Sequence, residues 1–143
     1  MMMLKPIGTV HNEIKQTGQR DFQSIVSEIV INKSLNEALD NLDEFSHIIV
    51  LYWMHQADNP PPLKVHPRRD PSIALKGVLA TRSPSRPNPI GKATVRLLER
   101  RGNVLRVMGL DAIDGTPVID IKPYLPGYDS VADARVPSWV SHH

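Results

Sequence analysis

Two arginines set four positions apart on a proline-rich stretch are the first residues in this chain whose types and spacing point to chemistry. The segment Thr81-Arg82-Ser83-Pro84-Ser85-Arg86-Pro87-Asn88-Pro89-Ile90-Gly91 carries two guanidinium groups, two serine hydroxyls between them and an amide. Pro84, Pro87 and Pro89 fix φ and bias Ser83, Arg86 and Asn88 towards extended geometry, so the donors are held on a stiff frame. Fixed donors of this kind suit an anionic or carboxylate-bearing ligand. Composition alone favours an ordinary surface loop; the paired arginines on a rigid support tip the balance modestly towards a binding site.

Other polar groups carry weaker signals. His47, His55 and His66 match no zinc-ligand spacing, and the chain has no cysteine, so non-metal roles are expected and no metal is assigned. The pair His55-Gln56 follows the longest apolar run, where a polar pair at a strand end can line a pocket. Asp114-Gly115 reads as a turn, whereas Asp120, just past Val118-Ile119, is harder to explain as a solvated charge. Tyr52 and Trp53 lie inside the apolar run and read as core.

Short strands must position these residues. Leu4 to Val10, Ser24 to Ile31, Gly77 to Thr81, Ala93 to Glu99, Val104 to Leu110 and Pro117 to Ile121 have strand composition. His47 to Met54 is apolar at both parities, as a strand buried on both sides requires. Arg100-Arg101-Gly102-Asn103 is a hairpin signal. The one helix expected begins at Ser34, where Ser34-Leu35-Asn36-Glu37 has capping-box spacing and Leu35, Ala38, Leu39 and Leu42 share a face. Ala57 to Ser72, with five prolines, reads as a long loop, and Lys122 to Asp129 as an extended ending. The pattern predicts a mainly β protein, a single-sheet antiparallel β-barrel with one short capped helix and long loops. A doubly wound nucleotide fold is disfavoured, because no glycine-rich turn joins a strand to a helix.

A length of 143 residues fits one domain, 1–143, with an irregular tail from about residue 130. The longest apolar run is too short to cross a bilayer and no cysteine argues for an oxidising compartment, so a cytoplasmic location away from membranes is expected. Net charge is +2 with pI near 9.0, a weak pointer to an anionic partner. No continuous basic stripe of the kind a duplex-binding helix carries is present.

The run Gly77 to Gly91, followed by Asp114-Gly115-Thr116-Pro117-Val118-Ile119-Asp120-Ile121-Lys122-Pro123-Tyr124, closely resembles the TsaA-like (TrmO-type) family. Asp43-Glu44-Phe45-Ser46-His47-Ile48 and Pro6-Ile7-Gly8 resemble the same family's entry to its central strand and its opening, so the likeness covers nearly the whole chain. The resemblance implies an S-adenosylmethionine-dependent methyltransferase on a β-barrel, usually a homodimer, that methylates N6 of N6-threonylcarbamoyladenosine beside the anticodon of tRNA. It implies cofactor contacts at Gln19, Arg20 and Asp21, at His55 and Gln56, at Arg82 and Lys92, and at Thr116, Pro117, Val118 and Ile119. In the early loop only Arg20 matches the family's pattern, which resembles Pro-Arg-Gln.

Methyl transfer to this nitrogen calls for near-attack positioning and for a base, because N6 must lose a proton. Asp120, His55 and Tyr124 are the candidate bases. Arg86 and Asn88 are candidates to orient the threonyl carboxylate and carbamoyl group of the substrate. A non-enzymatic S-adenosylmethionine sensor and a simple RNA-binding barrel are the competing readings, and the latter is expected to carry more exposed aromatics than two Phe, two Trp and three Tyr provide.

Overall fold

The computed structural model describes residues 1–15, 21–55, 57 and 60–140. Gln19, Arg20, Gln56 and the pair His142-His143 lie outside the described residues. Eight strands are present among the described residues: β1 Gly8–His11, β2 Val26–Ile31, β3 His47–Trp53, β4 Lys64–Val65, β5 Lys76–Gly77, β6 Ile90–Arg101, β7 Val104–Met108 and β8 Pro117–Pro123. Six of them close into a barrel in the order β1-β2-β7-β6-β3-β8, and β4 and β5 form a separate two-stranded ribbon. Every neighbouring pair in the barrel is antiparallel. The mainly β barrel expected from the sequence is therefore the observed fold.

Alternation decides what fills the barrel. Ile48, Val50 and Tyr52 on β3 point inward with Val95 and Leu97 on β6, Leu105 and Val107 on β7, Ile29 and Ile31 on β2, Val10 on β1 and Val118 on β8. Each is nearly or wholly removed from water, and burying a side chain of this size contributes about 1.5–3 kcal/mol. Leu39 closes one end of the barrel, while Leu110 and Ala112 close the other. The two-parity apolar run in β3 has a simple basis. Its inner residues form the core, and on the outer face Ile49 is buried while Leu51 and Trp53 are half-buried.

Antiparallel closure sorts the connections between two ends. At one end, called here the hairpin end, lie the β6–β7 turn at Gly102-Asn103, residues 32–46 between β2 and β3, and the exit of β8. Gly102 takes φ 56° there, a backbone state glycine accepts without strain. At the other, the loop end, lie the described residues 12–15, 21–25, 54–55, 57, 60–89 and 109–116, together with the starts of β6 and β8.

Several local expectations are corrected. The segment around Ser34 is a 3-10 helix, Lys33–Leu39, whose N-cap is Asn32 with no side-chain capping bond; Ser34 already lies within the helix and caps nothing. The apolar face still docks, because Leu35, Leu39 and Leu42 pack on the core. Gly77 to Thr81 is not a strand beyond Gly77, since Val78–Ala80 is a single 3-10 turn. The Ala57 to Ser72 loop contains β4 and a 3-10 turn at Pro67–Arg69. The ending contains one helical turn, α1 Pro126–Asp129, and Leu125 N donates to Asp129 Oδ2 at 2.8 Å.

Candidate functional site

The loop end is where the two arginines and most of the residues implied by resemblance converge. Asp21 lies in the β1–β2 connection, His55 just past β3, and Arg82, Arg86 and Asn88 in the connection to β6. Thr116 immediately precedes β8, and Pro117, Val118 and Ile119 begin it. Residues scattered from Asp21 to Ile119 share this end because alternate strands deliver their connections to the same rim.

Side chains and backbone stitch the rim together. Asn12 is the principal rivet: its Nδ2 donates to Ser27 Oγ at 3.0 Å and to the Ala112 carbonyl at 2.9 Å, while its Oδ1 accepts from Ile14 N at 2.9 Å. Asn12 N donates to Asp114 Oδ1 at 3.0 Å, and Lys15 Nζ donates to Asp114 Oδ2 at 2.7 Å. These bonds, led by Lys15, hold the Asp114 carboxyl below its ordinary pKa. Asp114 thus ties the turn before β8 to the exit of β1, beyond the simple turn role that Asp-Gly implied. Nothing in the local pattern of the sequence announced Asn12, since its partners are 15 and 100 positions away.

Tyr52 ties β3 to the same rim. Its ring lies inside the barrel opposite Gly91, and its hydroxyl donates to the Asp111 carbonyl at 2.7 Å. Burial, followed by the nearby Asp111 charge, raises the phenol pKa far above normal, so the group stays a neutral donor. A Cβ at Gly91 would come within 2.3 Å of Tyr52 Cε2, so glycine is required for the ring to fit. Asp111, exposed as a residue, has its carboxyl pKa raised by partial burial.

The proline segment is held by its own polar atoms. Thr81 Oγ1 donates to the Val78 carbonyl at 2.7 Å and accepts from Ser83 N at 3.2 Å. Arg86 Nη1 donates to the carbonyls of Thr81 at 2.8 Å and Ser83 at 3.1 Å, so this arginine braces the loop. Met54 N donates to the Pro89 carbonyl at 2.7 Å, which sets His55 beside the end of the segment. Arg82 and His55 make no side-chain hydrogen bond or ion pair among the described residues. Four residues apart, the two arginines have separate duties: one shapes the loop and the other projects from it.

Thr116 is buried, with Oγ1 bonded to the Ile113 carbonyl at 2.7 Å, and its own carbonyl accepts from Val10 N at 2.9 Å. Val118 is core. Between Tyr52↔Val118 and Leu51↔Asp120 the register slips, and Ile119 is the extra residue of a β-bulge. Of this quartet, half-buried Pro117 and Ile119 offer side-chain surface. The three candidate bases are not brought together. His55 is at the loop end, Asp120 stands on the outer wall of β8, and Tyr124 follows the other end of that strand, roughly 20 Å from its start at about 3.3 Å per residue. Asp120 Oδ1 accepts from Ile121 N at 2.9 Å, and its Oδ2 lies 3.3 Å from Lys122 Nζ. It also borders a groove of about 450 Å3 at the hairpin end, lined by Ile7, Leu35, Leu42 and Phe45. Lys92 is exposed on β6 in the same cross-strand row as Asp120, both opposite Leu51.

Residues 9–130 match the family model described as the tRNA-methyltransferase O N-terminal domain, and the chain belongs to that family. A probable S-adenosyl-L-methionine-binding protein of Methanothermobacter thermautotrophicus is 47% identical over 132 residues, covering 90% of this chain and 93% of that protein. The tRNA (adenine(37)-N6)-methyltransferase of Escherichia coli is 44% identical over 103 residues, 68% of this chain but only 44% of that enzyme. A probable S-adenosyl-L-methionine-binding protein of Archaeoglobus fulgidus, 43% identical, is matched over 95% of this chain and 37% of its own length. A crystal structure of TrmO superposes with a TM-score of 0.77 at 35% identity, over 95% of this chain and 63% of that one. The chain thus spans well under half of some relatives and nearly all of others.

Proposed function

We propose that this chain is an S-adenosylmethionine-dependent methyltransferase domain that modifies N6 of an adenosine in tRNA, with N6-threonylcarbamoyladenosine as the preferred acceptor. The observation that carries the reading is topological: Asp21, His55 and Arg82 lie on connections that leave the barrel end at which β8 starts. The family membership and the names of the relatives support the same reading. The residues fit the cofactor. Arg82, whose side chain has no hydrogen-bond or ion-pair partner among the described residues, offers its guanidinium for the cofactor's carboxylate, and the half-buried Met54, Pro117 and Ile119 offer apolar surface for its adenine. Arg20, Gln19 and Gln56, outside the described residues, and Asp21 complete the proposed binding set.

S-adenosylmethionine supplies an electrophilic methyl group on a sulfonium. The protein's part is to hold that group in line with N6 and to receive the N6 proton. His55, exposed beside the proline segment, is the base in this reading, because an unprotonated ring nitrogen can accept a proton. Asn88 orients the acceptor's carbamoyl group, and Arg86 contributes by keeping the loop in shape. The proposed working form is a homodimer in the cytoplasm. Threonylcarbamoylated tRNA incubated with protein and S-adenosylmethionine should gain one methyl group by mass spectrometry, and unmodified transcript should gain far less. Equal methylation of both would remove the preference for the modified base. Cofactor binding without turnover on any tRNA would favour a sensor, the reading that the names of the archaeal relatives leave open.

A further inference from the structure

The outer wall formed by β6, β3 and β8 carries an arrangement that the loop-end site does not use. Registers of the three strands place its outward residues in rows. His47 stands opposite Arg96 on one side, and Tyr124 N donates to the His47 carbonyl on the other; Ile49 stands between Thr94 and Lys122; Leu51 stands between Lys92 and Asp120. The rows run from the hairpin end up to Lys92, near the loop-end rim. Three cations, Lys92, Arg96 and Lys122, face one carboxylate, Asp120, which itself lies 3.3 Å from Lys122. Lys92 and Arg96 are exposed and have no ion-pair partner among the described residues. At the foot of the wall the rings of His47 and Tyr124 meet edge to face, with centroids 6.5 Å apart.

The neighbouring wall differs. On β6 and β7, Glu99 stands opposite Arg106 and pairs with both Arg106, at 3.6 Å, and Arg101. Both of those arginines are served by a carboxylate on the same wall, whereas the β6-β3-β8 wall leaves most of its positive charge unanswered.

We infer that the outer wall of β6, β3 and β8 is an RNA-binding surface, with Arg96 and Lys122 holding backbone phosphates and the His47–Tyr124 pair receiving a base. The inference rests on the proposed tRNA substrate and names the surface that holds it. Phosphates favour exposed cations, and aromatic rings beside them provide a stacking partner indifferent to base identity. Adjacent strands are about 4.8 Å apart and residues rise about 3.3 Å, so Arg96 and Lys122 are roughly 12 Å apart at Cα, a span that suits successive contacts along one strand of RNA. This assignment takes Tyr124 away from chemistry and makes it part of substrate positioning. The sequence hid the surface because Lys92, Arg96, His47 and Lys122 come from three separate strands and form no charge run.

The test uses the full chain with unfractionated tRNA, titrated by fluorescence anisotropy across a salt series. Arg96→Glu/Lys122→Glu should bind tRNA at least about tenfold more weakly near 0.1 M salt and show a shallower salt slope, by roughly 0.7–0.9 for each phosphate no longer held. His47→Ala/Tyr124→Ala should weaken binding with the slope unchanged. Arg106→Glu, a charge reversal on the neighbouring wall, should have little effect. S-adenosylmethionine binding by calorimetry should be unchanged in all variants, which keeps failure here distinct from failure of the cofactor site. The inference is overturned if the Arg96/Lys122 variant binds like the parent, if Arg106→Glu does equal damage, or if the parent binds cofactor but no tRNA. Light scattering that shows the variant dissociating from a dimer would make this wall an interface between copies, and would also overturn it.

Discussion

The two ends of the barrel use their polar groups differently. At the hairpin end, Arg100 Nε donates to the Gly102 carbonyl, its Nη1 to Asp40 Oδ1 and its Nη2 to the Asn36 carbonyl, while Asn103 Nδ2 donates to the Ile31 carbonyl. Those bonds lock the turn to the 3-10 segment. At the loop end a similar set is made by Asn12, Asp114, Thr116 and Arg86, but Arg82 and His55 stay outside it. One end is a closed frame. The other is a frame with reactive and binding groups left over, which is the pattern expected of a site built on loops carried by a rigid scaffold.

The largest effect should come from removing Arg82, which the loop-end frame leaves without a partner among the described residues. Arg82→Ala is expected to weaken S-adenosylmethionine binding by roughly 10- to 150-fold, the equivalent of losing a charge-assisted bond of ~1.5–3 kcal/mol. The melting temperature should hardly move. Calorimetry showing parental affinity would break the distinction between the bracing arginine and the projecting one.

Next in size is a test of the loop-end frame itself. Gly91→Ala drives a methyl group into the Tyr52 ring, and overpacking of this kind costs about 1–3 kcal/mol. Denaturant unfolding should show the loss, and Tyr52→Leu should relieve part of it. A parental midpoint for the single variant would mean that the rim repacks freely, contrary to the bonds that tie it together.

Smaller again is the hairpin-end counterpart. Arg100→Ala removes bonds to Gly102, Asp40 and Asn36, and the net loss should be about 1 kcal/mol because the ion pair is partly solvated. Cofactor affinity should be unaffected. A change in affinity would show that the ends are coupled through the barrel.

The smallest expected effect is acid sensitivity at the Asp114 rivet. Its folded pKa lies below the ordinary carboxylate value, so the folded state binds fewer protons than the unfolded state across that interval. The associated stability is present above the unfolded pKa, near pH 4, and fades as pH falls through the folded one. Asp114→Asn should flatten that part of the stability profile, measured by thermal melts between about pH 2.5 and 6. An unchanged profile would mean the carboxylate adds nothing to the rim.

Much of this was legible in the chain alone. β-branched density marked β2, the two-parity apolar run marked β3, and Gly102-Asn103 marked the β6–β7 hairpin, because each is a local preference of a few adjacent residues. The rigid character of the proline segment was equally readable, since proline fixes φ whatever surrounds it. The capping-box pattern at Ser34 misled, because the N-cap is Asn32, two residues earlier, and the chain winds as 3-10. Barrel closure between β1 and β8, the bulge at Ile119, the separation of Tyr124 from His55, and the choice of Arg86 as brace and Arg82 as free donor were decided only by tertiary structure. The physical reason is that each depends on which residues meet across strands distant in sequence, where register and not local preference determines whether a polar group finds a partner or is left for a ligand.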